Sequence, residues 1–286
     1  MTIVIDIEEK VNRNMVNPID LSQLIIKNGG GLPLDGRQAL HDNFTIRELF
    51  KLHVTDDITL AHSLLDSGLL VVPVINERNS DKDFSKFKYL ITNPEELDDN
   101  YYIKIWQRFM GLPWHILNTE RCIIREMSAS DVKDLYEVYA DSSITRFTEP
   151  LFPDYEDELE YTKNYIDNVY SYFGFGTWVI ECRETGHIIG RAGFNYRPGY
   201  DEPELGYVIA VPYQNQGYAY EVCSAIIPYM KEEFDIDRIS AFSSEENEPS
   251  LRLLNKLGFV AQTEAENIII DSAGKDIILR RFLLEL

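Results

Sequence analysis

The sequence predicts an α/β chain in two parts: a small α/β module over residues 1–118 and a larger α/β (α+β) domain over residues 119–286. Three observations carry this prediction. In the first part, the apolar run Leu69 to Ile75 lies between segments that read as helices, Thr55 to Leu65 and the stretch from Pro94 or Glu95 to Phe109. In the second, Gly176 to Cys182 and Ile188 to Tyr196 read as antiparallel strands joined by a turn at Thr185-Gly186. Further on, Glu204 to Val211 reads as a strand that runs through a short turn into helically spaced apolar residues, Val222, Ala225, Ile226, Tyr229 and Met230.

The totals bound what such a chain can do. At 286 residues there is room for one large or two ordinary domains. A net charge of −21, most of its excess after residue 118, argues against nucleic acid and anionic membrane as partners. An acidic second half would draw in a cationic acceptor; acidity for solubility is the other reading. No run of eighteen apolar residues exists, and the start of the chain, with Asp6, Glu8 and Glu9, lacks a signal-peptide pattern. Cys122, Cys182 and Cys223 are odd in number and widely spaced, which fits a reducing, cytoplasmic setting and neither a disulfide framework nor a zinc site. The histidines form no metal motif, so no metal is expected.

In chain order, Met1 to Ile7 reads as a short strand. Asp6-Ile7-Glu8 faintly resembles the nucleophile motif of haloacid-dehalogenase-like phosphatases, but Glu8 and Glu9 stand where a second Asp and a Thr or Val belong. Leu21 to Lys27 looks helical. Gly29-Gly30-Gly31 has no lysine at phosphate-loop spacing and reads as a surface loop. Thr45 to His53 reads as a helix opened by a Thr45/Glu48 capping box. The next helix opens at Thr55-Asp56-Asp57 and stops at Gly68. Pro73 places the following strand at an edge or at its own end, and Tyr89 to Ile91 reads as a further strand. This module resembles a degenerate Rossmann-like or dehalogenase-like unit.

The boundary falls near 115–120. A strand at Cys122 to Glu126, a Ser130-capped helix to Tyr139, a loop with Pro150 and Pro153, and a long helix from Glu156 to Tyr172 precede the strands described above. Asp237 to Ser244 reads as a strand and Pro249 to Leu257 as the final helix. Strand-like stretches near 268–270 and 277–284 close the chain.

The organising stretch is Tyr213-Gln214-Asn215-Gln216-Gly217-Tyr218-Ala219, between strand and helix. Amides at a helix N-terminus lack partners inside the helix and sit at the positive end of its dipole, so they suit a pyrophosphate. Gly217 lets a phosphate approach and Ala219 keeps the first turn slim. A glycine needed only for the turn is the plainer reading. Thirty residues on stands Asn247-Glu248-Pro249-Ser250-Leu251-Arg252-Leu253-Leu254-Asn255-Lys256-Leu257-Gly258-Phe259. Together the two stretches resemble the GCN5-related N-acetyltransferase (GNAT) superfamily. Its Q/R-x-x-G-x-G/A signature is met by Gln214, Gly217 and Ala219, and its N-x-x-S-x-x-L-x-x-K-x-G-F signature by Asn247, Ser250, Leu253, Lys256, Gly258 and Phe259.

The resemblance covers about residues 120–286 and is nearest the branch that acetylates ribosomal-protein N-termini. It implies a GNAT fold, a mixed, mostly antiparallel central sheet flanked by helices. It also implies transfer of an acetyl group from acetyl-CoA to a primary amine of a small molecule or protein N-terminus. By resemblance, Gln214, Asn215, Gln216, Gly217, Tyr218 and Ala219 hold the pyrophosphate. Ile209, Ala210 and Val211 pair with the pantetheine arm between splayed strands, an amide near Ile209 or Val211 polarises the thioester carbonyl, and Asn247 and Ser250 sit near the sulfur. Thr145, Arg146, Phe147 and Phe152 are candidate acceptor contacts, with packing an equal account of the aromatics. Glu204 is the candidate general base or a strand-edge charge, with Glu245 and Glu246 as rivals. Leu254 stands where many relatives carry a tyrosine acid, which leaves Ser250 as the candidate proton donor. That departure keeps a second reading open, a non-catalytic CoA-binding sensor or docking module. A homodimer is also left open.

Overall fold

The computed structural model describes residues 2–6, 51–262, 268–272 and 275–286. They divide into two compact units, Met1–Trp114 and His115–Leu286. The glycine triplet, the segment Leu21 to Lys27, Glu8 and the Thr45/Glu48 box lie outside the described residues.

The first unit is built on a three-stranded sheet in the order β1-β2-β3: Thr2–Asp6, Lys51–Thr55 and Leu70–Pro73. β1 and β2 are antiparallel, β2 and β3 parallel. The parallel pair requires a crossover, supplied by helix α1 (Ile58–Asp66), whose Asp57 side chain accepts the amides of Thr59 and Leu60. Residues 51–53 are therefore strand, against the helix expected through His53. Leu52 and Val54 are fully buried while Lys51 and His53 are not, and this period of two decides the local structure. Pro73 ends an edge strand, where its missing N–H costs no ladder bond. The strand expected at Tyr89 to Ile91 reduces to one bridge between Val74 and Ile91. Helix α2 (Asp99–Phe109) buries Tyr102, Ile105 and Trp106 on one face.

In the second unit a nine-stranded sheet runs in the order β10-β12-β9-β8-β7-β6-β5-β4, with β11 beside β12. Its first strand, β4 (His115–Asn118), pairs antiparallel with β5 (Cys122–Arg125). Helix α3 (Val132–Val138) follows a capping box made by Ser128 and Asp131, not by Ser130, because the box needs its acid three residues on. A short helix α4 (Ser142–Thr145) and α5 (Tyr155–Tyr165), which continues as a π-turn to Tyr170, complete this edge of the domain.

Strands β6 (Thr177–Cys182), β7 (Ile188–Tyr196) and β8 (Pro203–Ile209) form an antiparallel meander. Helix α6 (Tyr218–Phe234) then crosses to β9 (Arg238–Ser244), which is parallel to β8. Helix α7 (Glu248–Leu257), β10 (Val260–Ala261), β11 (Ile268–Ser272) and β12 (Lys275–Glu285) finish the chain. The core is one continuous cluster in which Trp178, Ile180, Ile189, Phe194, Ile226 and Met230 are fully buried.

One feature of this sheet positions everything else. β8 and β9 pair at a single position, Glu204 with Ser240, and separate beyond it. The gap breaks the sheet at its centre.

Candidate functional site

A cavity of about 730 Å³ lies along β8 and β9, lined by consecutive residues Glu204 to Ile209 whose side chains alternate between the two faces of the sheet. Its walls explain what it can hold. Along β8 the residues alternate, so the backbone groups of one set point to β7 and those of the other to the gap. Ala210 donates its N–H to Ile189 (2.8 Å), and the Ile209 carbonyl accepts from the Gln214 side chain (2.9 Å) on the far side. The alternation therefore directs the Tyr207 and Ile209 backbone groups away from β7, into the gap.

At one end of the cavity lies the turn before α6. Asn215 and Gly217 both have positive φ, 59° and 86°, a backbone shape suited to a cradle of amides for an anion at the N-terminus of a 17-residue helix. Glycine is required at 217 by its φ rather than by crowding, since a Cβ there would meet nothing nearer than an Arg121 nitrogen at 3.5 Å. Arg121 braces the cradle. Its Nε bonds Glu221 (2.6 Å), its Nη1 donates to the Gln216 carbonyl (3.0 Å), and its guanidinium lies 4.0 Å from the Tyr218 ring centre. The Glu221 carboxyl is held below its ordinary value: burial raises it, but bonds from Thr119 and Arg121 outweigh that.

Of the residues singled out in the sequence, Ile209, Gln214, Asn215, Gly217, Tyr218, Ala219, Asn247, Ser250 and Glu204 line this cavity. Ala210, Val211 and Gln216 do not. The Ala210 amide is committed to Ile189, Val211 begins a turn and is 38% exposed, and the Gln216 side chain is bonded to the Pro212 carbonyl. Among the candidate acceptor contacts only Phe147 lines it. Arg146 pairs with Glu246 on the surface (2.9 Å), Phe152 is exposed against Tyr161, and the Thr145 hydroxyl donates to Ser142.

The Asn247 side chain caps α7 by accepting the Ser250 amide (3.3 Å). The Ser250 hydroxyl meets the Tyr207 hydroxyl at 2.8 Å. Burial pushes the Tyr207 phenol well above its usual range, despite that bond, so it remains a proton donor. Across the sheet, Glu204 accepts two bonds from Arg197, at 2.6 and 2.9 Å. The rivals Glu245 and Glu246 are exposed, paired with Arg280 and Arg146, and line no part of the cavity.

Arg121, Tyr207, Arg191 and Arg197 were not singled out by sequence reasoning. Their partners lie far away in the chain, as Arg121 and Glu221 do, and no local spacing signals them. Chemically, the cavity brings the turn at Asn215 and Gly217, the Tyr207–Ser250 hydroxyl pair and the Glu204 carboxylate with its arginine together along one strand.

The acetyltransferase (GNAT) domain model matches residues 121–260. The chain is 32% identical to the uncharacterized N-acetyltransferase YnaD of Bacillus subtilis (strain 168) over 143 residues, covering 50% of this chain and 81% of that protein. It is 29% identical over 175 residues to the ribosomal protein uS5-alanine N-acetyltransferase of Escherichia coli (strain K12), covering 57% and 88%. Among solved structures, the RimL ribosomal L7/L12 alpha-N-protein acetyltransferase in complex with coenzyme A matches with a TM-score of 0.53 at 15% identity, covering 60% of this chain and 98% of that one.

Proposed function

Since the chain belongs to the GNAT family and is a GNAT-type N-acetyltransferase, with acetyl-CoA as its co-substrate, we propose that its two-faced cavity holds the thioester on the cradle side and a primary amine on the other. The observation that carries this reading is the gap between β8 and β9, along which one cavity takes in both the turn at Asn215 and Gly217 and the Glu204 carboxylate.

The chain's own groups then divide the work. The cradle amides around Asn215 and Gly217 suit the pyrophosphate, and the Tyr207 and Ile209 backbone groups pair with the pantetheine arm as an added strand would. The Ile209 N–H is the donor for the thioester carbonyl as charge develops on its oxygen. Glu204 takes the proton of the incoming ammonium, directly or through a water, on the lone pairs that Arg197 leaves open. Ser250 returns a proton to the departing thiolate and is itself backed by Tyr207, so the hydroxyl missing at Leu254 is supplied from β8.

The acidic second half favours an acceptor that arrives as a cation. The three cysteines, all free and buried, favour a cytoplasmic enzyme. The relative that acts on ribosomal protein uS5 favours a protein N-terminus as acceptor. The test is release of free thiol from acetyl-CoA across a panel of amines and N-terminal peptides, with Gly217→Glu as the control. Thiol release that depends on the amine and is lost in the control supports the reading; tight acetyl-CoA binding without amine-dependent release overturns it in favour of a sensor.

A further inference from the structure

The cavity is lined by two arginines, Arg191 on β7 and Arg197 just past the end of that strand, and they are not equivalent. The Arg197 charge is met by both oxygens of Glu204. Arg191 has no carboxylate at ion-pair distance among the described residues. One Nη donates to the Tyr139 hydroxyl (2.5 Å), and the guanidinium stands 4.9 Å from that ring. Its Nε is shut off from solvent and has no acceptor. Glu158, a buried carboxylate in the same neighbourhood, uses an oxygen to accept the Phe152 amide and stays beyond ion-pair distance from Arg191.

A partly buried guanidinium with one donor left without an acceptor and no carboxylate beside it favours a group that meets its charge. Its planar fork suits a carboxylate, which accepts two parallel bonds. The place is also informative. Arg191 lies directly across the ladder from Val208, which lines the gap beside Ile209. Directly opposed residues stand about 4.5–5.5 Å apart between Cα atoms. A carboxylate held there would belong to the same small molecule or terminal residue as the reacting amine. Gly206 adds room, since nothing lies within 4 Å of where its Cβ would be.

We propose that the acceptor is a primary amine with a carboxylate a few bonds away, and that Arg191 is the residue that reads it. The proposal rests on the acetyl-transfer reading for the position of the amine. It is compatible with an overall acidic protein, because such an acceptor also carries an ammonium.

Binding to the full-length protein loaded with CoA tests this without requiring turnover. Three acetylated probes separate the sources of the carboxylate: N-acetylalanine, N-acetylaspartyl amide and N-acetylasparaginyl amide. The first offers an α-carboxylate, the second only a side-chain carboxylate, and the third neither. By calorimetry, one of the first two should bind at least ~30-fold more tightly than the third, the scale set by leaving a buried charge unpaired. Preference for the first indicates a free amino acid, and for the second an acidic terminal residue. Arg191→Gln should reduce that preference to within about threefold while CoA affinity stays unchanged, and Arg191→Lys should keep part of it. Equal affinity for all three probes, or a preference that survives Arg191→Gln in a protein that still binds CoA, overturns the proposal. Failure of acetyl transfer to every amine would overturn the catalytic reading instead and leave this binding result to be judged separately.

Discussion

Replacing Gly217 separates two contributions that the cradle combines, backbone shape and charge. Gly217→Ala adds only a methyl group, and the nearest atom to it is 3.5 Å away, so crowding is absent. What remains is the positive φ of 86°, which costs an L-residue about 1–2 kcal/mol. The second unit should therefore lose about 2–8 °C in Tm. Gly217→Glu carries the same strain and adds a negative charge beside the expected pyrophosphate. At about 5 Å and an effective dielectric near 20, the repulsion from one phosphate charge is about 3 kcal/mol. Affinity for acetyl-CoA should fall at least ~100-fold in the Glu variant and no more than about tenfold in the Ala variant. Calorimetry with acetyl-CoA and a thermal melt of each variant read the two effects apart. A Glu variant that melts like the Ala variant and binds within threefold of the parent would refute the assignment of this turn to the pyrophosphate.

The other expectations follow from the same geometry. Arg121→Ala frees the Gln216 carbonyl and should weaken acetyl-CoA binding about tenfold, reading as KM rather than kcat. Because the folded Glu221 value is depressed, the Arg121–Glu221 contribution to stability is present above the ordinary Glu range and lost as pH falls through the folded value below 4.5; the Tm difference between the parent and Glu221→Gln should therefore shrink as the pH is lowered below that range. Tyr207→Phe should lower kcat about tenfold with acetyl-CoA affinity unchanged, and adding Ser250→Ala should cost little more, since the two hydroxyls act as one unit. Full additivity in that double variant would separate them. Glu204→Gln should lower kcat by roughly 10²- to 10⁴-fold if the carboxylate takes the ammonium proton; near-normal turnover would leave Glu204 as the partner of Arg197 only. A fragment of residues 115–286 should fold and bind acetyl-CoA by itself, and a folded fragment without that affinity would count against two separable units.

How much of this was legible in the sequence depended on whether the determining contact is local. The turn at Gly217 was, because a strand period, a glycine and a helix period adjoin within a few residues. Helix α6 nevertheless starts at Tyr218, ahead of its first regular apolar residue Val222, and Tyr218 is itself buried in the core while it lines the cavity. Strand β2 was misread because the residues before Lys51 carry a helix-start pattern, while the alternation of buried Leu52 and Val54 takes its meaning only from β1 and β3 on either side. Arg197 and Glu204 sit seven residues apart across a loop, Tyr207 and Ser250 forty-three, Arg121 and Glu221 one hundred, and no spacing rule joins such pairs. The gap itself was expected from resemblance alone, and physics explains why no residue pattern announces it. A strand pair leaves its mark on sequence through side chains that must pack, whereas this site is made by hydrogen bonds that β8 and β9 fail to make beyond Glu204 and Ser240. Unmade backbone bonds in a sheet centre are costly unless an occupant supplies them. The cavity is therefore a place where the fold is completed by what it binds, and its occupant should stabilise the second unit by more than its contacts at the cradle alone would give.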